Sequence, residues 1–261
     1  MRQRVAVIGI VALSLLSPAI VPAQEPRPSP PQSGREFQST DSQRLEADEG
    51  ATPGLLWVER GAALWNEAQS PAVRSCASCH GQAAQSMREL AARYPAVDAR
   101  SGQLLNLELR INQCRTLHQS LPALPWESDA LLGLTAFVTR QSEGLPKKVS
   151  VDGPAKPFFE VGRAFFHERQ GQLNIACTQC HDGNIGRRLR GDPISQGQTD
   201  GWPAYRLEWQ SLGSLSRRIR ACSLGVRAQV LDYGAPEYLA LELYLAWRGE
   251  GLALKSPGVR R

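Results

Sequence analysis

Two stretches combine cysteine and histidine at a spacing that serves one kind of chemistry. Cys177-Thr178-Gln179-Cys180-His181 and Cys76-Ala77-Ser78-Cys79-His80 both read C-x-x-C-H. This pattern is a c-type haem attachment site. Two thiols add across the porphyrin vinyl groups, and the adjacent histidine gives the iron one axial ligand. Two intervening residues let one turn of chain present both sulfurs to one edge of the ring. One copy alone also fits a zinc half-site or a redox pair. Two copies in an exported chain point to two covalently bound haem c groups. The expected attachment residues are Cys76, Cys79, Cys177 and Cys180, and the expected iron ligands are His80 and His181.

Each iron needs a second ligand or an open site. Methionine is the usual partner in electron-transfer cytochromes c. The chain has only Met1 and Met87, and Met87 lies seven residues past His80. Met/His ligation of both haems is therefore excluded. His118 and His167 are the remaining histidines; His167 reads as a surface residue and His118 as a minor alternative ligand. Cys114 and Cys222 are the remaining cysteines. A disulfide between them is the ordinary fate of a spare pair in an exported protein. Their equivalent places in a repeat favour the other reading, a thiolate ligand for each iron. Arg110 and Arg115 flank Cys114, and Arg217, Arg218 and Arg220 flank Cys222. Cations of this kind favour the thiolate.

The elements that must position these residues occur twice. Glu59, Gly61, Ala63 and Trp65 match Glu160, Gly162, Ala164 and Phe166 at a shift of about 101 residues, as do the two haem motifs. Beyond the motifs the shift lengthens, and Leu107, Arg110, Ile111 and Cys114 match Leu215, Arg218, Ile219 and Cys222. Each copy predicts a first helix (57–68 and 158–169), a cysteine-bearing helix (104–118 and 213–223) and an apolar last helix (128–141 and 236–248). A glycine in the first helix costs roughly 1 kcal/mol of helix propensity, and a close crossing by the last helix would offset it. The fold expected is mainly α: two tandem class I cytochrome c-like haem domains from an internal duplication. The loop 197–203 has no evident counterpart in the first copy.

Residues 1–23 read as a signal peptide. Arg2 and Arg4 precede the apolar run from Val5 to Ile20, and Val21-Pro22-Ala23 suits cleavage. The polar, proline-rich stretch 24–53 predicts a flexible N-terminal arm. The first cytochrome c-like domain then spans 54–150 and the second 151–261. Loss of Arg2 and Arg4 lowers the formal charge from +5 to +3, too little to argue for nucleic acid. No other stretch approaches a membrane span, so no membrane attachment is expected after signal cleavage. Export together with covalent haem suggests a bacterial periplasm.

With these features the chain resembles the SoxA family, the diheme cytochrome subunits of SoxAX complexes in thiosulfate oxidation. The resemblance covers most of 50–261. It rests on the two haem motifs, on Gly201-Trp202-Pro203 with Tyr205-Arg206, on Arg218 with Cys222, and on the run from Leu241 to Arg248. It implies an L-cysteine S-thiosulfotransferase that joins thiosulfate oxidatively to a cysteine of a SoxYZ-type carrier and passes electrons to a SoxX-type monohaem cytochrome in a heterodimer. It also implies that Cys222 is the reactive sulfur, often as a persulfide, with Arg218 and Arg248 holding the dianion. Cys114 would be a plain ligand of the first haem, and the second domain the catalytic one.

Two other readings stand beside this one. A pure electron-transfer diheme cytochrome with His/Cys-ligated, low-potential haems fits the first copy well. A peroxidase-like diheme enzyme needs a haem that opens to peroxide, which two thiolate ligands oppose. The arginines around Cys222 and the added loop favour catalysis in the second copy.

Overall fold

In the computed structural model, residues 30–68, 70 and 73–261 are described. The expected signal peptide and the start of the arm lie outside them. Among the described residues the helices are α1 (Thr40–Ala47), α2 (Leu55–Asn66), α3 (Cys76–His80), α4 (Ala83–Ser86), α5 (Leu107–His118), α6 (Asp129–Arg140), α7 (Lys156–His167), α8 (Cys177–His181), α9 (Leu215–Gly225) and α10 (Pro236–Arg248). The strands are β1 (Ala96–Val97), β2 (Leu104–Leu105), β3 (Arg188–Leu189), β4 (Asp192–Pro193), β5 (Ala204–Arg206), β6 (Ser211–Gly213) and β7 (Gly258–Arg260). No described helix is long and apolar enough to cross a membrane.

Side-chain caps start the helices that carry the site. Asn106, Ser128 and Ser214 accept hydrogen bonds from Leu109, Leu131 and Arg217 backbone N–H groups, which satisfies donors that a helix N-terminus leaves free. The first and last helices of each half then cross at the glycines. A Cβ on Gly61 would stand 2.0 Å from the Gly133 carbonyl oxygen, and one on Gly162 would stand 2.0 Å from the Ala240 carbonyl oxygen. These crossings bury Trp65 in the first half and Phe166 in the second. Met87 also lies in the first core, where it fills volume.

Short hairpins precede the two cysteine helices. β1 pairs antiparallel with β2, and β5 with β6, while β7 adds to β5 in parallel. Both hairpins follow a cis X–Pro bond, at Pro95 and Pro203. At the end of the loop 197–203, Trp202-Pro203 leads into β5 as Tyr94-Pro95 leads into β1. The second half has the β3–β4 hairpin between its haem motif and this point, where the first half has α4.

The expected flexible arm differs over residues 30–53. A 3-10 turn, Gly34–Phe37, leads into α1, and both are tied to distant parts of the chain. Glu46 is buried, accepts from the Val259 backbone N–H at 2.7 Å and pairs with Arg260 and Arg35. Ser33 Oγ donates to Asp200 at 2.5 Å. A polar composition that could not build its own core is held by ion pairs and hydrogen bonds to someone else's. The boundary near 150 is likewise crossed by packing. Leu254 sits in the core of the first half, and Leu104 in that of the second.

Candidate functional site

Cys177, Cys180 and His181 lie on the single turn of α8. Its start is fixed by the Gln179 side chain, which accepts the Ala176 N–H at 2.8 Å. His181 Nδ1 meets the Ser195 carbonyl oxygen at 2.7 Å. A carbonyl can only accept, so Nδ1 carries the proton and Nε2 keeps its lone pair for a metal. Gly197 closes over the ring: a Cβ there would lie 3.3 Å from Nδ1 at a backbone φ of +76°. The imidazole is thus held in one tautomer and one orientation before any iron arrives.

Cys222 approaches this group from α9. Burial pushes its thiol up, but the Arg218 guanidinium, followed by the neighbouring His181 and by Arg206, outweighs burial and brings it down to about 7. Cys222 also acts electrostatically on Cys177 and Cys180. Burial, followed by the Cys222 charge, pushes Cys177 up to about 12. Two attachment thiols, a metal-ready imidazole and a thiolate-prone sulfur therefore converge on one space. The set fits a haem c, which Cys177 and Cys180 would attach and His181 and Cys222 would ligate.

The sequence placed three arginines near Cys222, and the structure separates them. Arg217 stacks over Trp209 and reaches Ser211 Oγ. Arg220 donates to the Leu231 carbonyl and lies over Tyr233. Arg218 carries the charge that acts most on the Cys222 thiol, and no carboxylate pairs with it among the described residues. Arg206, on β5, also acts on Cys222; sequence reasoning noted it only as part of a motif. The signal that could have found it is an arginine at the end of a strand pairing directly before the cysteine helix.

Arg248 is the other arginine expected to hold the dianion. It is 5 % exposed, pairs with Asp182 Oδ1 at 2.5 Å and lies over the Phe166 ring at 4.4 Å. The thiol it influences is Cys177, on the attachment helix. Its Nε and Nη1 are buried without partners. Unmet buried donors of this kind suit a carboxylate of a bound porphyrin.

The first half repeats the arrangement with a different balance. Ser75 caps α3, and His80 packs against Trp65 with ring centroids 5.7 Å apart. Cys114 on α5 interacts electrostatically with Cys76 and Cys79. Burial raises the Cys114 thiol, and the opposing Arg110 charge does not overcome it. A cleft of about 500 Å³ opens against α3, lined in part by Trp65, Ala77, Ala83 and Phe137, within the range of cofactor sites. All six cysteines are free, so Cys114 and Cys222 form no disulfide. His118 and His167 are exposed, and His167 Nε2 lies 3.4 Å from Tyr244 OH.

Comparison with known proteins agrees with this geometry. Residues 60–147 match the family described as SoxA/TsdA, cytochrome c domain, and such a domain implies covalently bound haem c. The L-cysteine S-thiosulfotransferase subunit SoxA of Pseudaminobacter salicylatoxidans is 39 % identical over 88 % of this chain and 80 % of its own length. The subunit of the same name from Paracoccus pantotrophus is 37 % identical over 87 % of this chain and 78 % of its own. A crystal structure of SoxXA from P. pantotrophus matches at a TM-score of 0.85 and 36 % identity, covering 88 % of this chain and 87 % of that one. The fold is of the cytochrome c type. With this identity sustained over most of its length, the chain belongs to the SoxA family.

Proposed function

We propose that the chain is a periplasmic diheme c-type cytochrome that acts as an L-cysteine S-thiosulfotransferase. It joins thiosulfate to a cysteine of a SoxYZ-type carrier and passes the electrons to a SoxX-type monohaem partner in a heterodimer. The observation that carries this reading is the Cys222–His181–Arg218 grouping. A half-buried sulfur lies beside a guanidinium that has no carboxylate partner among the described residues, and it meets an imidazole whose Nδ1 is held by the Ser195 carbonyl. Relatives named for the same activity support it.

In the overall reaction one S–S bond forms between the carrier sulfur and the sulfane sulfur of thiosulfate. Two electrons leave, and the carrier thiol gives its proton to water. Haem supplies the place for those electrons when bound. The chain's own residues do the rest. Arg218 binds the dianion through charge-assisted hydrogen bonds. Cys222, held near the thiolate form, presents its sulfur beside the sulfane sulfur of the bound dianion. Ser195 and Gly197 keep His181 oriented.

The two halves are proposed to descend from one duplicated haem domain, the first (54–150) transferring electrons and the second (151–261) catalytic. The proposed ligands are His80 with Cys114 and His181 with Cys222, and the attachment residues are Cys76, Cys79, Cys177 and Cys180. The equal strand registers and the paired glycine crossings support this.

The test uses the holoprotein with a monohaem partner and a carrier. Carrier mass should rise by a thiosulfonate group as the haems become reduced, and the chain itself should carry two haems. In Cys222→Ala the transfer should vanish while both haems stay attached. Transfer that persists in that variant would sink the assignment.

A further inference from the structure

The two cysteine sites differ by a reversal of charge at one equivalent position. Ala96 pairs with Leu105 as Ala204 pairs with Gly213, and Val97 with Leu104 as Tyr205 with Leu212. The same shift carries Arg110 onto Arg218 and Cys114 onto Cys222. The next residue in the first hairpin is Asp98, and in the second it is Arg206.

The consequences are visible in the hydrogen bonds. Asp98 is 5 % exposed, and its Oδ1 accepts from Arg110 Nη2 at 2.9 Å. Arg110 Nε donates to Tyr94 OH at 2.9 Å, and Nη1 to Gln113 Oε1 at 2.5 Å. Every nitrogen of that guanidinium is committed, and its charge is matched. Ser101 anchors Asp98 in turn through its N–H and hydroxyl. In the second site the acid is absent. Arg206 cannot pair with Arg218; its Nη2 donates to Asp192 and Glu208, and its Nε is buried without a partner. Arg206 also stands within electrostatic reach of Cys222.

We propose that this single hairpin position decides which cysteine site accepts an anionic sulfur substrate. Asp98 shuts the first site by occupying Arg110 and by presenting a negative charge to any anion. Arg206, itself paired with Asp192 and Glu208, offers Arg218 no acid and leaves it unclaimed in the second. The proposal rests on the thiosulfate reading above. Arg206 is a positioning residue, since it acts through the freedom of Arg218.

The test uses the holoprotein and two probes, phenylglyoxal for guanidinium groups and thiosulfate for the sites. In the wild type, phenylglyoxal should modify Arg218 about tenfold faster than Arg110, the ratio expected from one charge-assisted hydrogen bond, and thiosulfate should protect Arg218 alone. In Asp98→Asn, Arg110 should label about tenfold faster than before, and the first haem's low-spin resonance should begin to respond to thiosulfate. Arg206→Asp, which installs an acid at this position, should raise the thiosulfate concentration that perturbs the second haem about tenfold and slow the labelling of Arg218, whereas Arg206→Gln should do neither. Both substitutions lose the ion pairs to Asp192 and Glu208, so a structural role alone would move both alike. Equal labelling of Arg110 and Arg218 in the wild type overturns the clamp without any variant. A first haem that stays silent once Arg110 is released overturns the gating. Failure of thiosulfate to protect Arg218, with the labelling contrast intact, overturns the thiosulfate reading and leaves the clamp standing.

Discussion

Arg110 and Arg218 stand one helical turn before Cys114 and Cys222, yet among the described residues Arg110 has an acid beside it and Arg218 has none. That difference sets the expected effect of removing each. Thiosulfate offers two charges and few other handles, so its binding rests on charge-assisted hydrogen bonds of roughly 1.5–3 kcal/mol each. Arg218→Ala should therefore lower kcat/KM for thiosulfate by about 10- to 100-fold. Both haems should remain attached and reducible by dithionite. Arg110→Ala should leave turnover nearly unchanged. It should instead lower stability, because Asp98 loses an ion pair while buried. Steady-state kinetics and denaturant unfolding of the two variants separate these outcomes. At this scale the sequence was informative where residue types were scarce. Two spare cysteines in repeat-equivalent places and no usable methionine left few ligand sets. It was uninformative about direction. Arg248 ends a helix that is buried on every side from Tyr238 onward, so periodicity could not say that it faces Asp182 just past α8.

At the scale of elements, the glycine crossings are the contacts with least room. A methyl group at Gly162 would enter the Ala240 carbonyl, a backbone atom that a side-chain rotation cannot move. Gly162→Ala should gain roughly 1 kcal/mol of helix propensity and lose more to overpacking, which costs about 1–3 kcal/mol in ordinary cores and more against backbone. A net loss of stability in a denaturant titration is expected, whereas the same change at exposed Gly183 should be mild. A Gly162→Ala variant as stable as the wild type would mean that α7 and α10 are farther apart than described. These crossings were legible, because a glycine amid a helical pattern demands a reason. The long helices were legible through their apolar periodicity. The hairpins were not, since strands of two or three residues carry no period. Residues 30–53 were misread because local composition says nothing of Glu46 reaching Arg260 at the far end of the chain.

At the scale of the whole molecule, the junction between the halves holds charges that the proposed reaction does not use. Glu108 on α5, Glu242 on α10 and Lys147 from the connecting segment line one cavity of about 60 Å³, with Thr135 and Thr199. Their hydroxyl oxygens are buried without protein partners. At roughly 10–15 Å³ per water, the space has room for about four molecules. Asn106 Nδ2 and Ser216 Oγ donate to Glu242, which ties α5, α9 and α10 together. Burial raises both carboxyl groups, Glu108 further through the charge of Glu242. Burial lowers the Lys147 ammonium to about 8. The sign of the pH dependence follows. Above the ordinary carboxylate range the unfolded chain has released these protons and the folded chain still holds them. Stability therefore falls as pH rises toward neutrality, by up to about 1.4 kcal/mol per pH unit for each group. Lys147 acts oppositely and later. Above about pH 8 the fold has lost its proton while the unfolded chain keeps it, and the decline should be offset there. Glu242→Gln isolates the carboxylate part, since a carboxamide resembles the protonated acid in shape. The variant should match the wild type most closely near pH 5 and become the more stable of the two as pH rises to 8. Denaturant midpoints across that range measure the difference. A gap that stays constant with pH would show that Glu242 keeps an ordinary carboxylate pKa, and that the junction is a solvated salt bridge instead of a buried proton store.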